Sequence, residues 1–197
     1  MILLAAAAAQ LMAPVPTRKN WVSPDDVPLD LINESKLYTV GIAITVGPDG
    51  KRQGCIIDHA SGIPKLDAYS CRLASQRLKF RSPRVDGNAS YGIYKTSLKW
   101  WVGDDYPPAS RELADLYLTV SQLPENLKSP TTVRLMSAVD EAGHIYDCVA
   151  EESDSSPELV RIGCEQVLKT YTAKPARTPE GVVVKSAQNV TVSFETR

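Results

Sequence analysis

Four cysteines carry the clearest chemistry in this 197-residue chain. Cys55 precedes Cys71 by the same interval that separates Cys148 from Cys164. Thiols at such spacing can close disulfides or, as thiolates, hold zinc. Zinc prefers short Cys intervals, and these are too long for a Cys-x-x-Cys knuckle. Two disulfides are expected, Cys55 with Cys71 and Cys148 with Cys164, the natural one of three connectivities. Closing a loop of about 16 residues is worth roughly 3 kcal/mol in the chain-entropy treatment.

Other reactive side chains do not form a matching set. Asp58-His59-Ala60-Ser61 places an acid, a base and a hydroxyl side by side, but triads assemble from distant segments, and a solvated loop is the simpler reading. His59 and His144 have no metal partner in the sequence. The acidic cluster Asp147, Glu151, Glu152 and Asp154 lacks calcium-loop spacing. No catalytic residue, metal ligand or cofactor is expected. Asn88-Ala89-Ser90 and Asn189-Val190-Thr191 fit the glycosylation pattern.

The cysteine intervals belong to a larger repeat. Gly50, Cys55, Pro64, Leu66 and Cys71 return as Gly143, Cys148, Pro157, Leu159 and Cys164, each displaced by 93 residues. The chain is thus read as two copies of one unit, 20–103 and 104–197. Trp21, Asp25, Asp26 and Pro28 return as Trp101, Asp104, Asp105 and Pro107, so the lead-in is part of the repeat. Units this small bury a modest fraction of their surface, so a cross-link in each would help.

Lys plus Arg number 22 and Asp plus Glu 23, which leaves no basic footprint for nucleic acid. Residues 1–14 are apolar and rich in small side chains, too short to span a bilayer and closer to a secretory leader, with a small-x-small site around Ala7 to Ala9 or slightly later. Export is expected. An inner-membrane anchor would need a start upstream of Met1.

The elements that must position these residues follow from periodicity. Val40, Ile42, Ile44 and Val46 alternate with small residues as in a half-buried strand, and Gly47-Pro48-Asp49-Gly50 turns it into a partner strand, Gln53 to Asp58. The second copy repeats this with Val133, Leu135, Ser137 and Val139, where Ser137 weakens the stripe. Pro64 and Pro157 fit first-turn positions of helices, with Ser156 as an N-cap. Leu66, Tyr69, Leu73 and Ala74 share one helix face, with Cys71 and Leu78 at its edge. A long strand from Tyr91 to Trp101 closes the first copy and a strand through Gln188, Val190, Val192 and Phe194 the second. Each copy is then an α+β unit, a three-stranded antiparallel sheet with a helix on one face. The segment RELADLYLTVSQL fits a short helix or a strand. Trp100 belongs in the core; Trp21 and Trp101 suit either packing or a recognition surface.

These residues resemble the TonB C-terminal domain family in its disulfide-containing form. The likeness is carried by the first strand and Gly50, Ser61-Gly62, Leu66-Asp67, Arg77 with Phe80, and Pro83 before a glycine loop and a last strand ending in Trp100. It spans essentially all of the first copy; in the second, Ser61-Gly62 has become Asp154-Ser155, Phe80 has become Ala173 and Pro83 has become Ala176. The resemblance implies a periplasmic, non-catalytic protein that adds a peptide segment or protein partner to a sheet, with an outer-membrane transporter as one such partner. No nucleic acid or small-molecule substrate is implied. A stand-alone structural or envelope-assembly protein is the alternative.

Within that expectation, the partner would pair with the strand bearing Tyr91, Ile93, Lys95, Ser97 and Lys99. Its polar face suits an edge that must avoid self-pairing, and its lysines favour acidic peptides, unless the lead-in or the other copy covers it. Non-reduced peptide mapping should recover Cys55 joined to Cys71 and Cys148 to Cys164 with no free thiol. Bridges between copies, or stoichiometric zinc, would contradict this.

Overall fold

The computed structural model describes residues 11–18, 20–33, 36–103, 110–153 and 155–197. The lead-in holds β1 (Val15–Pro16) and one 3-10 turn, Pro24–Asp26. Then come β2 (Tyr38–Val46), β3 (Arg52–His59), α1 (Pro64–Arg77), β4 (Phe80–Arg81), a hairpin of β5 (Arg84–Val85) and β6 (Asn88–Ala89), and β7 (Tyr91–Trp100). RELADLYLTVSQL supplies a strand, β8 (Leu116–Val120). The second half continues with β9 (Thr131–Val139), β10 (Ile145–Ala150), α2 (Pro157–Thr170), a pair β11 (Ala176–Arg177) and β12 (Val183–Val184), and β13 (Ser186–Thr196).

Among the described residues the fold is α+β, with two α-helices and a seven-stranded mixed sheet, beside three two-stranded ones, in place of the two separate three-stranded sheets expected. Seven strands run in the order β10-β9-β13-β7-β2-β3, with β8 added to β13. The joint is a parallel ladder in which Ser186, Ala187 and Gln188 pair with Tyr91, Gly92 and Ile93. Sequence alternation marks strands but cannot show that two of them continue one sheet.

That ladder sets the layering. Paired residues on neighbouring strands point to the same side, so Ile93 and Gln188 share a face. Val40, Ile42, Tyr94, Leu98 and Trp100 pack with Leu66 and Leu73 of α1, and Ile93 points away from them. Gln188 is on the same side as Val190, Val192 and Phe194, which pack with Leu159 and Val167 of α2. The helices therefore lie on opposite faces, each over its own core.

Each half covers the other's remaining face. Ala176 and Val184 pack on Ala43 and Ile93 of the first half; Val85, joined by Leu11, packs on Ala138 and Ala187 of the second. Leu11 is 5% exposed and Ala13 fully buried. Met12 exchanges two backbone hydrogen bonds with Arg84, and Val15 pairs with Arg81. Residues 11–14, expected in the leader 1–14, thus belong to the folded body because they fill a gap between the halves. Residues 1–10 lie outside the described residues.

Disulfides join Cys55 to Cys71 and Cys148 to Cys164, each tying an outermost strand to its helix. The repeated turn glycine has a steric cause. Gly50 and Gly143 take φ of 77° and 89°, and a Cβ there would strike the carbonyls of Phe80 and Ala173, residues that also correspond between copies.

Divergence between the halves is compensated at one core contact. The Trp100 indole N–H donates to Ser70 Oγ at 3.0 Å, and Ser70 Oγ donates to the Leu66 carbonyl. In the second half Phe194 needs no acceptor, and Gly163 stands where Ser70 does, 3.7 Å from its own ideal Cβ to the Phe194 ring. The lead-in of the first half is clamped: Arg77 donates two hydrogen bonds to Asp26 and one to the Trp21 carbonyl, and Tyr69 donates to the Asp26 carbonyl. Arg77 and the Ser23 N–H hold the Asp26 carboxyl below the usual carboxylate range. Trp21 is buried in this cluster, and Thr170 occupies the position of Arg77 in the second copy. Replacing Ser70 with Ala leaves a buried indole N–H without its acceptor, so urea denaturation should show a loss of about 1–3 kcal/mol. A change within error would mean the hydrogen bond is not needed.

Candidate functional site

β7 was expected to offer a free edge, and the structure divides it. Tyr91 and Ile93 are taken up by β13, so this part of the expected edge is covered by the other copy. Beyond Gln188 the two strands splay. β8 then occupies the same side of β13, with Leu116 to Val120 pairing in parallel with Val192 to Thr196.

Side chains build the apex of this fork. Asn189, fully buried, imitates a strand: its Oδ1 accepts the Lys95 N–H at 2.7 Å and its Nδ2 donates to the Lys95 carbonyl at 2.9 Å. This commitment is incompatible with glycosylation at Asn189. Across the gap Asp115 serves Thr191: its carboxylate accepts the Thr191 N–H at 2.9 Å, and its own backbone N–H donates to the Thr191 carbonyl at 2.8 Å. Asp115 Oδ1 also accepts from Lys95 Nζ and from Tyr171 Oη at 3.0 Å, and Lys95 Nζ donates to Tyr171 Oη at 2.9 Å.

Lys95 is thus not an outward cation; its side chain is 13% exposed and that of Asp115 is 11% exposed. Burial alone pulls the ammonium pKa down, but the Asp115 carboxylate and the Tyr171 ring oxygen outweigh it and the net shift is upward. A raised lysine pKa contributes stability below the unfolded value of about 10 and loses it only as pH rises through the folded value, so the contribution is complete at neutral pH. Burial pushes the Tyr171 hydroxyl up as well. With Lys95 neutralised, only Lys99 remains of the two lysines expected to favour acidic peptides.

The fork opens into a cavity of about 630 Å³. His59, Lys95 and Ser97 line it from one face of the sheet, Thr132, Arg134 and Thr191 from the other, and Glu112 to Asp115 cross it. Arg134 is paired with Glu151 at 2.8 Å, and Asp58 with Lys174 at 3.1 Å. Glu112 accepts from Thr132 at 2.9 Å, while the Tyr117 hydroxyl bonds back to Glu112 and Ala114. Gly41 has a packing reason: a Cβ would lie 2.8 Å from His59 Cβ and 3.2 Å from Leu113 Cδ1.

Backbone direction identifies what this cleft exposes. The Lys95 N–H and carbonyl point into the fork toward Asn189, and period two sends those of Ser97 and Lys99 the same way. Both residues are exposed, and among the described residues neither forms a hydrogen bond on that side.

His59 and Ser97 both register with Gly41, which places their backbones two strand spacings apart, about 9–10 Å. Ser61 Oγ instead bonds within its own loop, to the Ile63 backbone, and Asp67 accepts the Ser61 N–H. His144 is bonded to Asp140, away from the cleft.

Asp115 and Tyr171 were not singled out from the sequence, and Asn189 entered there as part of a glycosylation pattern, not as a strand mimic. A signal existed in the adjacent polar pair Gln188-Asn189, which breaks the apolar-polar alternation that Val190 to Phe194 follow. Compared with protein-family models, curated proteins and solved structures, the chain matches none. Replacing Lys95 with Met strands the Asp115 carboxylate at the apex and should lower stability by about 3–5 kcal/mol, read by chemical denaturation. Unchanged stability would show that the fork does not depend on this pair.

Proposed function

We propose that the protein is a non-catalytic, exported binding protein of two TonB-C-like halves that takes an extended peptide segment as an added strand in the fork. The observation that carries this reading is the outward backbone of Ser97, which lines the cavity between two diverging strands, followed along the same strand edge by that of Lys99. Main-chain hydrogen bonds would supply affinity, and side chains on alternate positions would meet His59, Leu113 and Tyr117. The order β3-β2-β7 around α1 and β10-β9-β13 around α2 supports the tandem TonB-C-like layout. Disulfides support an oxidising compartment such as the periplasm, and a segment of an outer-membrane transporter is the partner the family resemblance suggests. The bonding of Ser61 within its loop and the separation of His59 from Ser97 favour binding over catalysis. A structural envelope role is the second reading, favoured by the cover that β13 places on the first residues of β7.

Ser97→Pro is the discriminating variant, because it removes an N–H aimed at the fork and leaves the ladder to β2 intact. Titrating isotope-labelled protein with a set of extended peptides should shift Ser97, Lys99 and Leu116 to Val120, and Ser97→Pro should abolish binding with little change in Tm. Binding that survives this variant, or shifts confined to α1, would rule out strand addition here.

A further inference from the structure

The near-zero net charge of the chain hides a division between its halves. Residues 1–103 hold 13 Lys and Arg against 8 Asp and Glu, whereas residues 104–197 hold 9 against 15. The helices show where this division matters. Lys65 and Arg72 lie two turns apart on α1, and Gln76 follows one turn later on the same exposed stripe. Asp67, the acid of that helix, is buried and accepts the Ser61 N–H. At the equivalent positions of α2, displaced by 93, stand the exposed Glu158 and Glu165. The same stripe thus has opposite sign in the two copies, and α2 lies across the sheet, where its carboxylates do not neighbour the cations of α1.

The cationic stripe continues past the helix. Lys79 and Arg18 line a cavity of about 590 Å³ together with Gln76 and the exposed Val22. Arg77 lines it as well, but Asp26 neutralises it. Asp25 and Asp30, the exposed acids of the lead-in, do not line it. Among the described residues Arg18, Lys65 and Lys79 form no salt bridge, and Arg72 lies over the Tyr69 ring at 5.3 Å. A discrete anion needs donors that converge on one point, whereas these are exposed and strung along a helix roughly 21 Å long. Exposed ion pairs are worth little, and Arg161 already pairs with Glu165, so the α2 of another copy would hold this face weakly. A membrane presents a continuous field, in which each Lys or Arg strengthens attachment about fivefold. We propose that the α1 face docks onto a bilayer surface of anionic headgroups, with the helix lying along it and the acidic half turned away. Docking does not depend on strand addition in the fork.

The test sediments the full, oxidised chain with vesicles of phosphatidylcholine, with and without about one third phosphatidylglycerol. Neutral vesicles read the contribution of the apolar start of the chain, and the increment on anionic vesicles reads the cations. That increment should be at least about tenfold at low salt and should collapse by about 0.5 M salt. Lys65→Glu with Arg72→Glu gives α1 the residues that α2 already carries at those positions, so Tm should hold while the increment is lost. If that variant unfolds, Lys65→Gln with Arg72→Gln provides the reading, with a loss of at least about fivefold. Equal sedimentation with neutral and anionic vesicles, or an increment that survives in the folded variant, overturns the proposal. Salt-sensitive self-association without vesicle binding, lost in the same variant, assigns the face to the acidic helix of a second copy and overturns the membrane reading.

Discussion

Three residue pairs between β13 and β7 determine most of the architecture. Because the ladder is parallel, two similar halves joined through it present opposite faces, and a helix that follows the same local rules in each half must land on opposite sides. Neither half can then cover its own second face. Each relies on the other's short hairpin, and the segment at Leu11 completes the arrangement on one side. Among the described residues the two helix-covered cores share one seven-stranded sheet, so the halves are coupled through the backbone ladder and the surfaces they exchange.

The same constraint creates the fork. Two strands splaying from a short ladder leave backbone groups that need partners. The protein satisfies the first of these with the Asn189 side chain on one side and with the carboxylate and backbone N–H of Asp115 on the other. Lys95 neutralises the carboxylate that this solution brings into the seam, and Tyr171 shares its hydrogen bonds. Past that point no such substitute is present among the described residues, which leaves the backbone of Ser97 and Lys99 without a hydrogen bond on that side.

Much of this was legible in the sequence because it is local. The stripe Val40 to Val46, the helix-start prolines, the turn glycines and the equal Cys intervals each encode a conformation within a few residues, and each strand and helix core they indicate is present. Ser137, an apparent defect in its stripe, is fully buried opposite Gln188. What could not be read is what depends on where one half meets the other. Tyr91 and Lys95 have the composition of an edge, yet the residues that take up their backbone, Ser186 and Asn189, are 94 or more residues away. An exposed lysine and a buried, paired lysine look alike until the opposing carboxylate is placed. Leu11 was taken with the leader for the same reason: apolar residues suit both a leader and a seam.

The order of synthesis acquires meaning from the position of β13. The strand β13, in the middle of the sheet, follows every other strand of this fold in the sequence, so the ribosome makes it after all of them. Until Ser186 to Thr196 emerge, β7 and β9 have no common neighbour, and the first half must persist with its joining edge open. Its own disulfide and helix are complete by then, since every residue of that core precedes Val102. The first half is therefore built to wait, and the second closes around it from the C-terminus.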